Sequence, residues 1–258
     1  MSKEDACMKF AQLLFSPTGG TQKVAQAITG VWGAVETIDL TDPAFSPSSF
    51  QADDLVLIAV PSFGGRVPAL AAERLERIQG GGASCVLVCV YGNRAYEDTL
   101  VEMQDCAESR GFHVIAAVAA VAEHSILHQY AAGRPDQQDT EKLQRFSRAI
   151  LEKHRQGKQE LAAALPGNRP YKKAGGVGMV PKAGSGCVGC GLCASQCPAQ
   201  AISPDELRKA DAEKCISCMR CVVRCPQGAR KVNGAMLSAA GLALKKACSV
   251  RKECELFL

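Results

Sequence analysis

Two runs of cysteine constrain this chain more than any other feature. Cys187, Cys190, Cys193 and Cys197 follow the pattern C-x-x-C-x-x-C-x-x-x-C, with Pro198 next; Cys215, Cys218, Cys221 and Cys225 repeat it, with Pro226 next. Thiolates are soft ligands suited to iron–sulfur clusters, and this spacing is that of the bacterial 4Fe–4S run. Three cysteines at intervals of three let a tight loop wrap one face of a cube. Zinc is the alternative, because C-x-x-C pairs also hold it, but two full runs of eight cysteines favour clusters. The chain has 14 cysteines in 258 residues. Its opening, MSKEDACMKF, lacks an apolar h-region and a cleavage pattern, so the expected compartment is cytoplasmic. There thiols stay reduced, and clustered cysteines signal metal rather than disulfides. The longest apolar stretch, residues 112–122, contains His113 and is too short to cross a bilayer, so no membrane insertion is expected.

Residues 183–233 resemble the two-cluster bacterial ferredoxins, a small α+β module. In these the fourth cysteine of each run ligates the other cluster. The resemblance implies Cys187, Cys190, Cys193 and Cys225 around cluster I, and Cys215, Cys218, Cys221 and Cys197 around cluster II. Of the other six cysteines, Cys85 and Cys89 sit in an apolar strand pattern and read as small hydrophobes. Cys7 and Cys106 carry no pattern of their own, and Cys248 and Cys254, near the C-terminus with five residues between them, read as plain thiols with a redox or metal role left open.

The first 165 residues have a different rhythm. Short apolar runs at 9–15, 34–40, 55–60, 85–90 and 112–121 alternate with helical patterns at 21–31, 69–79, 97–110 and 136–156. Continuous Val/Ile/Leu strands joined by helices are the mark of a parallel sheet covered on both faces. Five such units predict an α/β domain with a doubly wound, five-stranded parallel sheet, whose ligands bind beyond the carboxyl ends of the strands. Residues 166–182, rich in glycine and proline, read as a linker, and 234–258 as a C-terminal helix and tail. Charge divides the same way: residues 1–165 carry 15 Lys/Arg and 20 Asp/Glu, net −5, and residues 166–258 carry 15 and 6, net +9. Two clusters with their thiolates, each about −2, would bring the second half to roughly +5. With so few aromatic residues to stack on bases, no nucleic-acid partner is expected.

Ser16-Pro17-Thr18-Gly19-Gly20-Thr21 follows the first strand and opens the first helix. A hydroxyl- and glycine-rich turn at a helix N-terminus can cradle a phosphate; it can also be a simple capped turn. No Walker lysine and no G-x-G-x-x-G fingerprint is present, which disfavours nucleoside triphosphates and dinucleotides. The loop resembles that of flavodoxin, S/T-x-T-G-x-T, matched here by Ser16, Thr18, Gly19 and Thr21, with Gly20 between them. The resemblance implies a flavodoxin-like fold with FMN, its phosphate on this loop. It implies that Phe63, Gly64 and Gly65 after the third strand, and Tyr91, Gly92 and Asn93 after the fourth, flank the flavin ring. Pro17, which lacks an N–H, and the absence of tryptophan from these loops depart from the pattern.

From end to end the chain resembles flavodoxin–ferredoxin fusion proteins of anaerobes, through the phosphate loop, FGGRVP, YGNRAYED, the triplet Glu123–Ser125, both cysteine runs and the ELFL tail. That implies two 4Fe–4S clusters, FMN and electron transfer, with a protein donor or acceptor of ferredoxin or flavodoxin type. Two further functions stay open. One is a flavin-dependent reductase of a small molecule, with Phe63, Arg66, Tyr96 and His124 around its substrate. The other is a ferredoxin-type carrier whose first domain is an FMN-free docking module. His124 reads first as an ordinary surface or core histidine, with a flavin or proton-donor role as the alternative, whereas Arg94 reads equally well as a flavin partner and as a solvated arginine.

Overall fold

The computed structural model describes residues 8–161, 163–175 and 178–258; Cys7 lies outside them. The elements in chain order are β1 (Phe10–Leu14), α1 (Gly20–Thr29), β2 (Val35–Asp39), β3 (Leu55–Pro61), α2 (Ala69–Leu75), β4 (Ser84–Tyr91), α3 (Thr99–Ser109), β5 (His113–Val121), α4 (Gln137–Arg155), β6 (Lys182–Ala183), α5 (Leu192–Ser195), α6 (Arg220–Val223), β7 (Arg230–Lys231), α7 (Gly234–Cys248) and β8 (Glu255–Phe257). The main sheet runs β2-β1-β3-β4-β5-β8. Its first five strands are parallel, in the 2-1-3-4-5 order of the flavodoxin-like doubly wound fold.

Sequence explains the core. β4 is buried along its whole length and β5 along all but His113, because both faces are covered and every position must be apolar. Two hydrophobic clusters, one on each face, pack the sheet against its helices. Burial pushes the thiols of Cys85 and Cys89 up, so both behave as small apolar groups. α4 starts with a capping box: Asp136 accepts from the Asp139 backbone N–H, and Asp139 reaches back to Asp136.

The sixth strand departs from the five-stranded expectation. β8 returns from the far end of the chain and pairs antiparallel with β5 through Ala117–Phe257, Val118–Leu256 and Ala119–Glu255. An antiparallel edge strand on a parallel sheet is common, and at three residues its pattern is too short to read. The tail is fixed by Arg134, which is buried with Asp139: Nε donates to Oδ2 at 2.7 Å, and Nη1 donates to the Lys252 carbonyl at 2.7 Å. Removing Arg134 would leave the buried Asp139 carboxylate with the half-exposed Arg251, at 3.2 Å, as its one cationic partner among the described residues, and would cost the bidentate buried pair. Arg134→Met is therefore expected to destabilise the α/β domain by about 3 kcal/mol. A thermal melt would show this as a fall of about 10 °C.

The second domain is small. β6 and β7 form a two-stranded antiparallel ribbon, beside a compact apolar group of Ala194, Cys197, Ala201 and Ile202. No helix among the described residues is long and apolar enough to cross a membrane.

Candidate functional site

The eight clustered cysteines divide between two enclosed voids. Cys187, Cys190, Cys193 and Cys225 line one, and Cys197, Cys215, Cys218 and Cys221 line the other. Each run wraps its void by way of left-handed residues and then a four-residue helix, α5 or α6. The fourth cysteine of each run accepts a backbone N–H four residues on, Cys197 from Ala201 and Cys225 from Ala229, both at 3.3 Å. N–H donors to sulfur stabilise thiolate and tune a cluster. Arg220 lines one void and Arg230 the other, and in each the Nε is buried without a partner. A buried, unpaired guanidinium nitrogen beside four thiols fits an anionic occupant. Without that occupant, burial pushes Cys218 up to about 12 and Cys221 up to about 11. Loading metal here must therefore release protons.

The phosphate-loop residues come together at the N-terminus of α1, where Gly19 takes a left-handed φ of 92°. Ser16 provides a cap: its Oγ accepts the Gln22 N–H at 2.9 Å, while its own N–H donates to Thr41 Oγ1 at 2.6 Å. Among the described residues the N–H groups of Thr18, Gly19, Gly20 and Thr21 have no acceptor within the chain. Four free donors at a helix start, beside the Thr18 and Thr21 hydroxyls, fit a phosphate.

A cavity of about 440 Å³ opens at the carboxyl ends of β3, β4 and β5, within the range of small-molecule sites. Phe63 and Gly64 line it, with Ser62, Arg94 and His124–Leu127. Its other wall comes from Lys172 and Met179 in the linker, Ser217 in the second cysteine run, and Ala240 and Leu244 of α7. His124 is fixed in one state. Its Nδ1 accepts the backbone N–H of Ile126 and of Leu127, each at 3.2 Å, so a neutral ring carries its proton on Nε2. Gly92 packs so closely that a Cβ there would lie 2.7 Å from His124 Cδ2. Burial, with His128 and Arg94, lowers the His124 pKa below its ordinary 6.5. The folded state therefore takes up that proton less readily than the unfolded chain, so stability falls as pH drops below about 6.5 and recovers above it. Anaerobic melts from pH 7.5 to 5 should show a smaller loss in His124→Gln than in the parent protein.

Other residues singled out in the sequence lie elsewhere. Gly65 turns away beneath Glu97. Tyr91 is buried beside Tyr96, ring centroids 5.2 Å apart, and does not line the cavity. Asn93 is held by the tail: its side chain donates to Cys248 and Val250 carbonyls at 3.0 and 2.8 Å and accepts the Lys252 N–H at 3.1 Å. Arg66 binds Glu102 through two nitrogens and stacks on Tyr171, and the Tyr96 hydroxyl donates to Glu255. Neither lines the cavity. The C-terminal helix is present as expected, but that α7, Ser217 and Met179 line this cavity was not legible in the sequence; the one available signal was the run of small residues in α7, which lets Tyr130 reach the Gly241 carbonyl.

Residues 186–229 match the family model of the 4Fe-4S dicluster domain. Over 45 residues the chain is 51% identical to a component of the ion-translocating oxidoreductase complex of Methanosarcina acetivorans, covering 17% of each protein. Over 44 residues it is 50% identical to a component of the Na(+)-translocating ferredoxin:NAD(+) oxidoreductase complex of Acetobacterium woodii, covering 16% of this chain and 13% of that one. The chain thus spans under a fifth of the length of these curated relatives. Among solved structures, the flavodoxin of Streptococcus pneumonia TIGR4 aligns over 56% of this chain and 99% of its own, at 18% identity and a TM-score of 0.40. The two-electron reduced flavodoxin of Megasphaera elsdenii aligns over 55% and 98%, at 17% identity and a TM-score of 0.35. The strand order and the dicluster match define an electron-transfer protein. It joins a flavodoxin-like domain to a two-cluster 4Fe–4S domain in one chain.

Proposed function

We propose that this chain is an iron–sulfur flavoprotein that carries electrons between its two 4Fe–4S clusters and FMN, linking a low-potential protein carrier of ferredoxin or flavodoxin type to a further acceptor. The cavity is the observation that supports it: it joins loops of the flavodoxin-like sheet to a residue adjoining the cluster ligand Cys218. Residues 16–21 would hold the FMN phosphate, and Phe63, Gly64 and His124 the ring. Cys187, Cys190, Cys193 and Cys225 would hold one cluster, and Cys197, Cys215, Cys218 and Cys221 the other. Bound FMN exchanges one or two electrons, whereas clusters exchange one, so the pair can join one-electron to two-electron chemistry. The protein contributes the rest. Phe63, Met179 and Leu244 give the cavity apolar lining, His124 offers a neutral N–H, and Arg94 and Lys172 place positive charge at its edge, shared with Glu97. The basic excess of residues 166–258, net +9 for the polypeptide and roughly +5 with both clusters, suits an acidic carrier.

Purification without oxygen and in excess FMN tests this. The expected content is about eight irons, eight sulfides and one FMN per chain. Eight irons without flavin would leave a ferredoxin-type carrier with a docking domain. On exposure to air the visible absorption of the clusters is expected to bleach as they decay; colour that persists would count against labile 4Fe–4S centres.

A further inference from the structure

The two cysteine runs are local repeats, and comparing them isolates one residue. Both bend through the left-handed region at matching positions: Gly189 and Gly191 at φ 72° and 74°, Ser217 and Met219 at φ 52° and 63°. In the first run both places are glycine, which adopts this conformation freely. In the second the side chains persist despite the strain, and strain of this kind collects where a side chain has a task.

The Ser217 side chain is in an unusual place. The residue is 3% exposed, and its Oγ has no hydrogen-bond partner. Only four buried side-chain nitrogen or oxygen atoms among the described residues are in that state; two of the others, Arg220 Nε and Arg230 Nε, belong to residues lining the cysteine voids. Ser217 instead lines the 440 Å³ cavity, opposite loops that carry Phe63 and His124. The loop is seated firmly on the first domain: Ile216 packs against its core, and Arg220 Nη1 lies 3.5 Å from the Pro17 carbonyl of the phosphate loop. A buried hydroxyl without a partner is rare in proteins, because its desolvation goes uncompensated. Ser217 lines this cavity and, unlike Arg220 and Arg230, neither cysteine void, so the cavity is the space beside it that a partner can fill.

We infer that Ser217 is a flavin-binding residue: its hydroxyl exchanges a hydrogen bond with the polar edge of the isoalloxazine ring. The flavin site is then built by both domains, with the ligand loop of one cluster as its wall. This rests on the FMN reading above and adds a specific contact to it. A hydroxyl serves as donor or acceptor, so it can follow a ring edge whose hydrogen-bonding pattern changes with redox state.

The test compares the parent protein with Ser217→Ala and Ser217→Gly, all purified without oxygen. Glycine suits the left-handed backbone, as Gly189 shows in the first run, so that variant should fold and load its clusters at least as well as the parent. Iron and sulfide are expected to stay at the parent level in both. FMN affinity, measured by anaerobic titration, should fall roughly tenfold in both, with a shift of the flavin absorption band. Parent-like affinity and spectrum in both variants would overturn the proposal. So would loss of iron from both, which would make Ser217 a residue of the cluster loop alone. A parent protein that carries its eight irons but takes up no FMN would instead refute the flavin reading itself, and this contact with it.

Discussion

Cys190→Ala is expected to lower the iron content from about eight atoms per chain to about four or fewer and to unfold much of the segment 183–233. Cys190 is the exposed cysteine of its void, so its loss leaves no apolar packing gap and the effect must come through the metal. The apolar group of that domain, Ala194, Cys197, Ala201 and Ile202, is far too small to hold about 50 residues together. In domains of this kind the free energy of metal binding is the free energy of folding. The flavodoxin-like half, with large clusters on both sheet faces, should keep its cooperative melt. Iron and sulfide assays with limited proteolysis would report both halves. Eight irons in the variant would sink the assignment of Cys190 as a ligand.

Thr18→Asp should weaken FMN binding by roughly a hundredfold or more while iron stays unchanged. The residue sits beside the free N–H groups at the start of α1, where the phosphate would lie. A carboxylate a few ångströms from a phosphate is repelled by about 3–4 kcal/mol at the dielectric of a protein surface. The same carboxylate suits a helix N-terminus, so the fold has no reason to suffer. Flavin retained at parent affinity would mean that the phosphate lies elsewhere. Equal loss of flavin and iron would mean that the variant had damaged the whole protein.

The parts of this molecule that could be read in advance are those set by local pattern. The strands expected at 55–60 and 85–90 appear as Leu55–Pro61 and Ser84–Tyr91, because an unbroken apolar run has nowhere to go but a sheet buried on both faces. The helix expected at 136–156 spans Gln137–Arg155, bounded by its capping box. The helix expected at 69–79 stops at Leu75. Beyond it, Gln79 exchanges backbone hydrogen bonds with Ser48 and Phe50, a long-range pairing that periodicity does not record. The cysteine spacing made the chemistry of the second domain legible, since a cluster requires its ligands at those intervals. The cavity was legible only on one side. Phe63 and Gly64 lie on loops whose place follows from the sheet, whereas Met179, Ser217 and Leu244 reach it through docking of the linker, the second cysteine run and α7. Asn93 follows the fourth strand as expected, whereas Tyr91, expected after it, is its last residue and pairs with Val121. Their side chains serve the tail side of the domain instead, because β8 and the segment before it occupy that flank.

The most direct test of the account is the route of electrons inside one chain. FMN-loaded protein, mixed rapidly and without oxygen with a limiting amount of a reduced one-electron protein carrier, can be followed at the cluster and flavin absorption bands together. The account predicts that the cluster band falls first and then recovers as the flavin band bleaches, at a rate independent of protein concentration, since the transfer is internal. Flavin bleaching whose rate rises in proportion to protein concentration, or clusters that stay reduced beside an unchanged flavin, would contradict it.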